Sequence, residues 1–264
     1  MTPFNVRLAG RSLAQVSGAD AESFLNGLLT CEIVGMKPGE ARYGAILTPQ
    51  GKILFDLILL KLDHGYLIDC AGMQRDGLLQ RLQFYKLRSK VDFAPVDGGI
   101  VAGVGDAPAG AVVDPRTPLL GWRHYGSTRG DISDAAYEAH RIGLGVADSA
   151  ADIGSGTLFP HEANLDQLNG VSFTKGCYVG QEVVSRTEHR GLARSRILIA
   201  RFEGQAPQAG TVLTADDKPL GSVLSHSGSV ALALVRLDRL AEASVKPAGV
   251  AFAVAPWARY SLHG

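Results

Sequence analysis

The sequence predicts an α+β protein that ends in an all-β domain. Two observations carry this. Between residues 41 and 103 three meandering strands are followed by a helix and two further short strands, the order of an α+β module. From residue 195 to 254 short apolar runs alternate with turn residues, the pattern of a small barrel or sandwich.

Ala19 to Leu29 has helical spacing, with Phe24, Leu25, Leu28 and Leu29 on one side and Asp20 placed to cap it. Tyr43–Leu47 and Lys52–Leu62 read as strands joined by the turn Thr48-Pro49-Gln50-Gly51. Asp63-His64-Gly65 turns the chain into a third strand, Tyr66–Cys70. Asp76–Leu87 is helical, with Leu78, Leu79, Leu82 and Leu87 as its apolar positions and Arg81 and Lys86 outside. Val91–Val96 and Ile100–Gly103 are short strands, and the Ala/Gly/Pro-rich stretch from Asp106 to Pro118 connects onward. Leu119–Tyr125 is a further strand, and Asp134–Arg141 a short helix capped by Ser133 or Asp134. Gly143 to Phe159 is too rich in Gly, Ala and Ser to assign. Gln181–Arg190 is a helix closed by Gly191, and Ser195–Phe202, Thr211–Thr214, Pro219–Ser225, Ser229–Val235 and Val250–Val254 are strands.

Composition narrows the function classes. The chain has 264 residues, 46% hydrophobic and 20% charged, ordinary for a soluble globular protein. Lys plus Arg and Asp plus Glu balance at 26 each, so no global field attracts nucleic acid or anionic lipid. Apolar runs such as Ile53–Leu60 are too short to span a bilayer and are broken by Asp56. Three cysteines, Cys31, Cys70 and Cys177, lie far apart without zinc-site spacing. That low, odd count and the lack of an apolar leader at Met1–Val6 imply a reducing, cytoplasmic setting.

Lys175-Gly176-Cys177-Tyr178-Val179-Gly180-Gln181-Glu182 is the densest segment for chemistry. It sets one cysteine between glycines ahead of a helix. The helix dipole and the Lys175 charge would favour the thiolate, which attacks electrophiles and binds metals. A tight turn around a partly buried cysteine is the bland alternative. Within Gln181–Arg190, Glu182 and Arg186 are spaced to pair, which accounts for them by helix stability. Asp56, on the face of its strand shared by Leu54 and Ile58, needs a partner, a raised pKa or a water-filled cavity. Glu162, after Pro160 and His161, is either a surface acid or a bidentate acceptor for a heterocycle's N–H groups.

The octet resembles the signature of the YgfZ family, folate-binding proteins linked to iron–sulfur cluster assembly, whose fold is shared with the glycine cleavage T protein, an aminomethyltransferase. The likeness extends through Pro160–Asp166, Ser185–Gly191, Phe24–Thr30 and Leu47–Asp56. It implies two ferredoxin-like α+β modules around a central channel, followed by a C-terminal β-barrel. The first module is discontinuous, residues 1–40 with 117–191; the second is 41–116 and the barrel 192–264. The resemblance further implies tetrahydrofolate or another reduced folate in the channel, contacted by Asn26, Thr30, Glu162, Lys175, Gly176, Tyr178 and Gln181. Cys177 would face the channel, for thiol or one-carbon chemistry or as a transient ligand of iron or a cluster. No resident metal is expected, since a stable cluster takes several thiolates.

Three functions follow: an accessory factor in maturation of four-iron proteins, acting indirectly on tRNA modification; a tetrahydrofolate-dependent aminomethyltransferase using Asp56; or a folate-sensing module without catalysis. The expected partners are iron–sulfur assembly or client proteins and the folate, with no nucleic acid or membrane, and a monomer as the default. Three departures weigh on these readings. Phe55-Asp56 stands where the T protein has paired aspartates. Arg141-Ile142-Gly143 lacks the acid that follows the arginine there, and Thr30-Cys31-Glu32 stands where YgfZ proteins commonly have Thr-Asn-Asp.

Overall fold

The computed structural model describes residues 3–126, 134–191, 193–244 and 247–262. Its elements in chain order begin with β1 (Phe4–Arg7), β2 (Arg11–Ser17), α1 (Ala21–Asn26), β3 (Ala41–Leu47), β4 (Ile53–Lys61), β5 (Tyr66–Ala71) and α2 (Arg75–Lys86). There follow β6 (Asp92–Val96), β7 (Ile100–Val104), β8 (Val112–Val113), β9 (Trp122–Tyr125), α3 (Asp134–Gly143) and α4 (Gln181–Arg190). The C-terminal part holds β10 (Ser195–Phe202), β11 (Val212–Ala215), β12 (Lys218–Ser227), β13 (Val230–Arg236), α5 (Leu237–Glu242) and β14 (Val250–Ala253).

The strands form three sheets, ordered β3-β4-β5-β2-β6, β1-β7-β9-β8 and β11-β12-β13-β10-β14. All pairings are antiparallel. The first two sheets with their helices, and the all-β third, give the α+β fold with a C-terminal barrel domain. Pairing runs across the expected boundary at residues 40 and 41. Strand β2 is the fourth strand of the sheet built from 41–96, and β7 joins β1 and β9.

The period-two alternation of β2 to β5 gives the first sheet two unlike faces. One face, with Ala14, Val16, Leu57, Leu59 and Ile68, packs on Leu25 of α1 and on Leu78 and Leu82 of α2. The other meets the second sheet through Leu13 and Leu67 against Val6, Ile100 and Ala102. That same face carries Tyr43, Ala45 and Ile58 toward Ile142 of α3, Val184 of α4, and Ile197 and Leu232 of the third sheet. Polar side chains on it therefore point into the middle of the molecule.

Several local expectations change. Asp20 does not cap α1; its Oδ2 accepts from the Lys90 amide at 2.7 Å, and α1 is shorter than the apolar spacing suggests. Residues 118–120 form a 3-10 turn ahead of β9, with Thr117 accepting from Leu119 N. Ser133 lies outside the described residues. The Gly/Ala/Ser-rich stretch contains a π-helical turn, Ser149–Ile153, capped by Asp148, which accepts from the amides of Ala150 and Ala151. Strands β1 and β2 and helix α5 were not evident in the pattern. Among the described residues no helix is long and apolar enough to cross a membrane.

Candidate functional site

The octet forms an irregular loop that leads into α4. Gly180 has φ +82°, and a Cβ there would lie 2.6 Å from the Thr48 carbonyl oxygen. Across the contact, a Cβ on Gly51 would lie 2.8 Å from Val183 Cβ. The loop is thus pressed against the β3–β4 turn, a closeness only glycine permits on both sides. Gly191, φ +62°, closes the helix by donating to Glu188 O and Thr187 O, as its position predicts. Glu182 and Arg186 are exposed, and no ion pair among the described residues joins them.

Lys175 is buried, and its ammonium donates to three carbonyl oxygens at the end of α1: Asn26 at 2.7 Å, Leu29 at 2.7 Å and Cys31 at 2.8 Å. Burial lowers its pKa, while the three acceptors hold the charged form. Lys175 therefore ties the loop to the body of the protein, and its donors are taken up there. Tyr178 is buried beside it, with the ammonium 5.3 Å from the ring centroid. Burial pushes the Tyr178 phenol up to about 12, and its hydroxyl has no partner.

Thr30 donates to Gly170 O and accepts from Ala45 N, and Asn26 Oδ1 accepts from Ile33 N at 3.2 Å. Asn26, Thr30, Lys175 and Tyr178 thus come together, as a structural joint. Gly176 borders open space, and half-buried Gln181 opens α4. Cys177, two residues beyond the anchor, is exposed, whereas Cys31 and Cys70 are buried. Burial pushes the Cys31 thiol up to about 11 and Cys70 to about 12.

Glu162 is half-buried, and its Oε2 accepts from the Phe159 amide at 2.9 Å, a local turn contact. His161 Nε2 lies 3.1 Å from Glu188 Oε2, and with Asp166 these residues place ligand-type atoms within 4.8 Å of one another. Both Asp166 oxygens already accept from Arg196, whose guanidinium opposes a cation there.

The second centre lies on the inward face of the first sheet. Asp56 is 3% exposed. Its Oδ2 accepts from Ser149 Oγ at 2.9 Å and Tyr43 OH at 3.1 Å, while Oδ1 has no partner among the described residues. Burial raises its pKa, against the opposing pull of Arg11 and the two hydroxyl donors. Arg11 donates to Ser149 Oγ at 2.8 Å and to Asp69 Oδ1 at 2.6 Å. Arg123 bridges Asp69 at 2.7 Å and Asp114 at 2.8 Å, and Arg116 grips Asp114 through both carboxylate oxygens. Tyr137 OH accepts from Arg116 and Arg123. Arg141, from α3, reaches Asp152 at 2.8 Å, Glu138 and Ser225 of the third sheet. The acids beside Arg141 thus come from the π-helical turn and from the preceding turn of α3.

A cavity of about 500 Å³ opens beside this network, lined in part by Arg11, Arg116, Arg123, Tyr137, Arg141 and Asp148. A second, of about 600 Å³, is lined by Cys31, Glu32, Arg42, Tyr43 and Phe173 among others. The chain of contacts Arg11–Ser149–Asp56–Tyr43 joins the two walls. Cys177, Glu162 and Gln181 line neither cavity. Asp56 stood out in the sequence as a charge inside an apolar strand. Asp69 in Tyr66–Ala71 and Arg123 in Trp122–Tyr125 carry the same signal and were missed.

Comparison with known proteins agrees with this architecture. Residues 10–102 match the model of the GCVT N-terminal domain, and residues 194–260 that of the CAF17 C-terminal beta-barrel domain. A solved aminomethyltransferase T of the glycine cleavage system from Bartonella henselae superposes with a TM-score of 0.75 at 18% identity, over 89% of this chain and 79% of that one, a likeness of fold. The human iron–sulfur cluster assembly factor IBA57, mitochondrial, is 35% identical over 278 residues, 89% of this chain and 78% of its own. The mouse protein of that name is 32% identical over the same shares. A homolog from Neurospora crassa is 35% identical over 240 residues, 76% of this chain and 55% of its own.

These relatives are mitochondrial by name, which overturns the cytoplasmic setting expected from the cysteines. A low, odd cysteine count reports reducing conditions and does not distinguish one reducing compartment from another. By sequence identity across most of both chains, the protein belongs to the family of the iron–sulfur cluster assembly factor IBA57.

Proposed function

We propose that this chain is an accessory factor of iron–sulfur cluster assembly or repair, serving four-iron proteins and acting on tRNA modification only through them. The carrying observation is that, of its three cysteines, Cys177 alone is exposed, on a loop locked at both ends by Lys175 and Gly180. An exposed thiol on a fixed base can meet iron or a cluster held by another protein. A single thiolate suits a ligand shared during transfer rather than a resident cluster. The likeness of the octet around it to the YgfZ signature supports this reading. Assembly or client proteins are the partners, the chain acts as a monomer, and neither nucleic acid nor membrane is required.

A reduced folate fits the structure at the arginine-lined cavity. The volume of about 500 Å³ lies in the range of small-molecule sites, and Asp56 keeps one carboxyl oxygen unpartnered and buried behind the wall. Arg11, Arg116 and Arg141 would hold the ligand's carboxylates, and Glu138 and Asp148 its N–H groups. Glu162, Lys175, Gly176, Tyr178, Gln181, Asn26 and Thr30 take no part in holding it at this cavity. When bound, the folate would supply one-carbon chemistry. The chain's own residues bind and orient it and shield Asp56 from water.

The test is complementation of a strain lacking this protein, with the activity of a four-iron enzyme as readout. Loss in Cys177→Ala supports the ligand role, and full activity sinks it. Titration with tetrahydrofolate tests the cavity separately, with saturation in the wild type and in Cys177→Ala and loss in Arg11→Met.

A transferase reading is favoured by one observation, the raised pKa of Asp56 beside an unpartnered oxygen. Turnover of tetrahydrofolate with a lipoyl-linked amine donor, lost in Asp56→Asn, would establish it. The exposure of Cys177 weighs against the third reading, a folate sensor with a structural cysteine.

A further inference from the structure

The end of α2 carries a surface that neither the thiol loop nor the cavity uses. Phe84, in the last turn of α2, is 72% exposed, and Leu87, the residue that follows the helix, is 88% exposed. Large apolar side chains gain nothing by standing in water, and two of them three residues apart mark this end of the helix. The Phe84 ring meets that of Tyr85 edge-on, with centroids 5.6 Å apart.

Leu87 is stranger still. It ends α2 with φ +45°, in the region that favours glycine. A bulky residue there is strained, and its side chain makes no compensating core contact, being almost wholly in solvent. Such strain in an exposed residue points to a role outside the folded chain itself.

The charge around the pair is mostly positive, the Asp20 carboxylate beside it being taken up by the Lys90 amide. Between residues 81 and 92 the chain places Arg81, Lys86, Arg88 and Lys90 against the single carboxylate of Asp92, in a chain whose formal net charge is zero. Lys86 pairs with Asp92 at 3.3 Å and Arg81 leans on Tyr85, its guanidinium 5.9 Å from the ring centroid. Arg88 and Lys90 are exposed, and no acidic side chain pairs with them among the described residues. A shallow hollow lies alongside, lined by Asp20, Leu87, Arg88 and Ser89.

We infer that this surface docks an acidic, amphipathic segment of a partner protein, whose apolar side chains seat on Phe84 and Leu87 while its carboxylates meet Arg88 and Lys90. Two apolar anchors bounded by unpaired cations match that chemistry. The anchors supply the dehydrated centre, and the charges supply orientation and encounter rate. A membrane would need an apolar face longer than one turn, and a nucleic-acid surface would set its cations in a stripe rather than around two aliphatic and aromatic tips. The inference stands apart from the Cys177 reading, so either can fail alone.

The test uses the full chain and a fluorescent helical peptide of Leu and Glu, with the leucines on one face. Anisotropy should show saturable binding that weakens as salt rises. Phe84→Ser and the double reversal Arg88→Glu/Lys90→Glu should each weaken it at least tenfold. Leu87→Gly should weaken binding while raising the melting temperature, because it removes both the anchor and the strain. A folding defect cannot produce that pair of changes. Equal binding by these variants and the wild type overturns the inference. So does a Leu/Lys peptide that binds as well, or patch-dependent binding of phosphatidylserine vesicles or of oligo-dT without binding of the acidic peptide. Self-association that is lost in Phe84→Ser would assign the surface to a second copy instead, and also overturns it.

Discussion

The ammonium of Lys175 sits 2.7 Å from the carbonyl oxygen of Leu29, joining the thiol-bearing loop to the end of α1 across 146 residues of sequence. With Asn26 and Cys31 as further acceptors, one side chain satisfies three carbonyls that the short helix α1 and its exit leave open. Lys175→Met should cost at least about 3 kcal/mol, since each of the three hydrogen bonds to the charged group is worth about 1.5–3 kcal/mol and the abandoned carbonyls add their own penalty. Urea denaturation measures it. Unchanged stability would mean that the lysine is held there for the thiol and not for the fold.

The three thiols should separate cleanly by reactivity. At pH 8 a thiol with a pKa near 11 is thiolate to about one part in a thousand, and Cys31 is buried as well. Cys70, pushed up to about 12, is slower still. Iodoacetamide on the native protein should therefore modify Cys177 first and stop at one adduct by mass spectrometry, and Cys177→Ser should take up none. All three should react in guanidinium chloride.

Two glycines of positive φ flank α4, and their surroundings predict different costs. Gly180→Ala drives a methyl to 2.6 Å from Thr48 O on top of the unfavourable φ, so it should cost about 2–3 kcal/mol and disturb the loop. Gly191→Ala meets no neighbour within 4 Å and should cost only the conformational preference, about 1 kcal/mol. Melting curves of the two variants give the difference. In complementation, Gly180→Ala should impair the protein more than its loss of stability explains, because it moves the base of Cys177.

How much of this was legible in the sequence follows from the range of the interactions. Strands β3 to β5 and the barrel strands lie close to where alternation and turn residues put them, because those signals are local. Strand β2 was missed. In Arg-Ser-Leu-Ala-Gln-Val-Ser the apolar residues fall on both faces, Leu13 on one and Ala14 and Val16 on the other, so no clean alternation shows. Yet β2 is an interior strand of its sheet and delivers Arg11 to Asp69 and Ser149. Asp56 stands out because one charge in an apolar strand demands a partner, but its partner Ser149, 93 residues away, and Arg123's partner Asp69, 54 away, are set by sheet packing. The octet drew attention to Lys175 as a charge near the thiol. That its ammonium turns to the end of α1 could be read only once α1 was in place.

The buried network predicts two opposite responses to pH. For Asp114, burial would raise the pKa, but Arg116 and Arg123 overcome it and hold the group below the usual carboxylate range. A folded-state pKa below the unfolded value near 4 gives stability that is present at neutral pH and drains away as pH falls below about 4. Asp114→Asn should therefore be clearly destabilised at pH 7, and its deficit should shrink toward pH 3. Asp56 runs the other way. Burial raises its folded-state pKa, so its contribution is full below about pH 4 and is lost as pH climbs through the raised value. Asp56→Asn removes that loss, and its stability relative to wild type should improve from pH 4 to pH 8. Thermal melts of both variants across pH 3–8 check the crossing. Parallel curves would mean that Asp56 stays ionised in its pocket, with its free oxygen held by water, and would withdraw the physical basis for giving it a catalytic role.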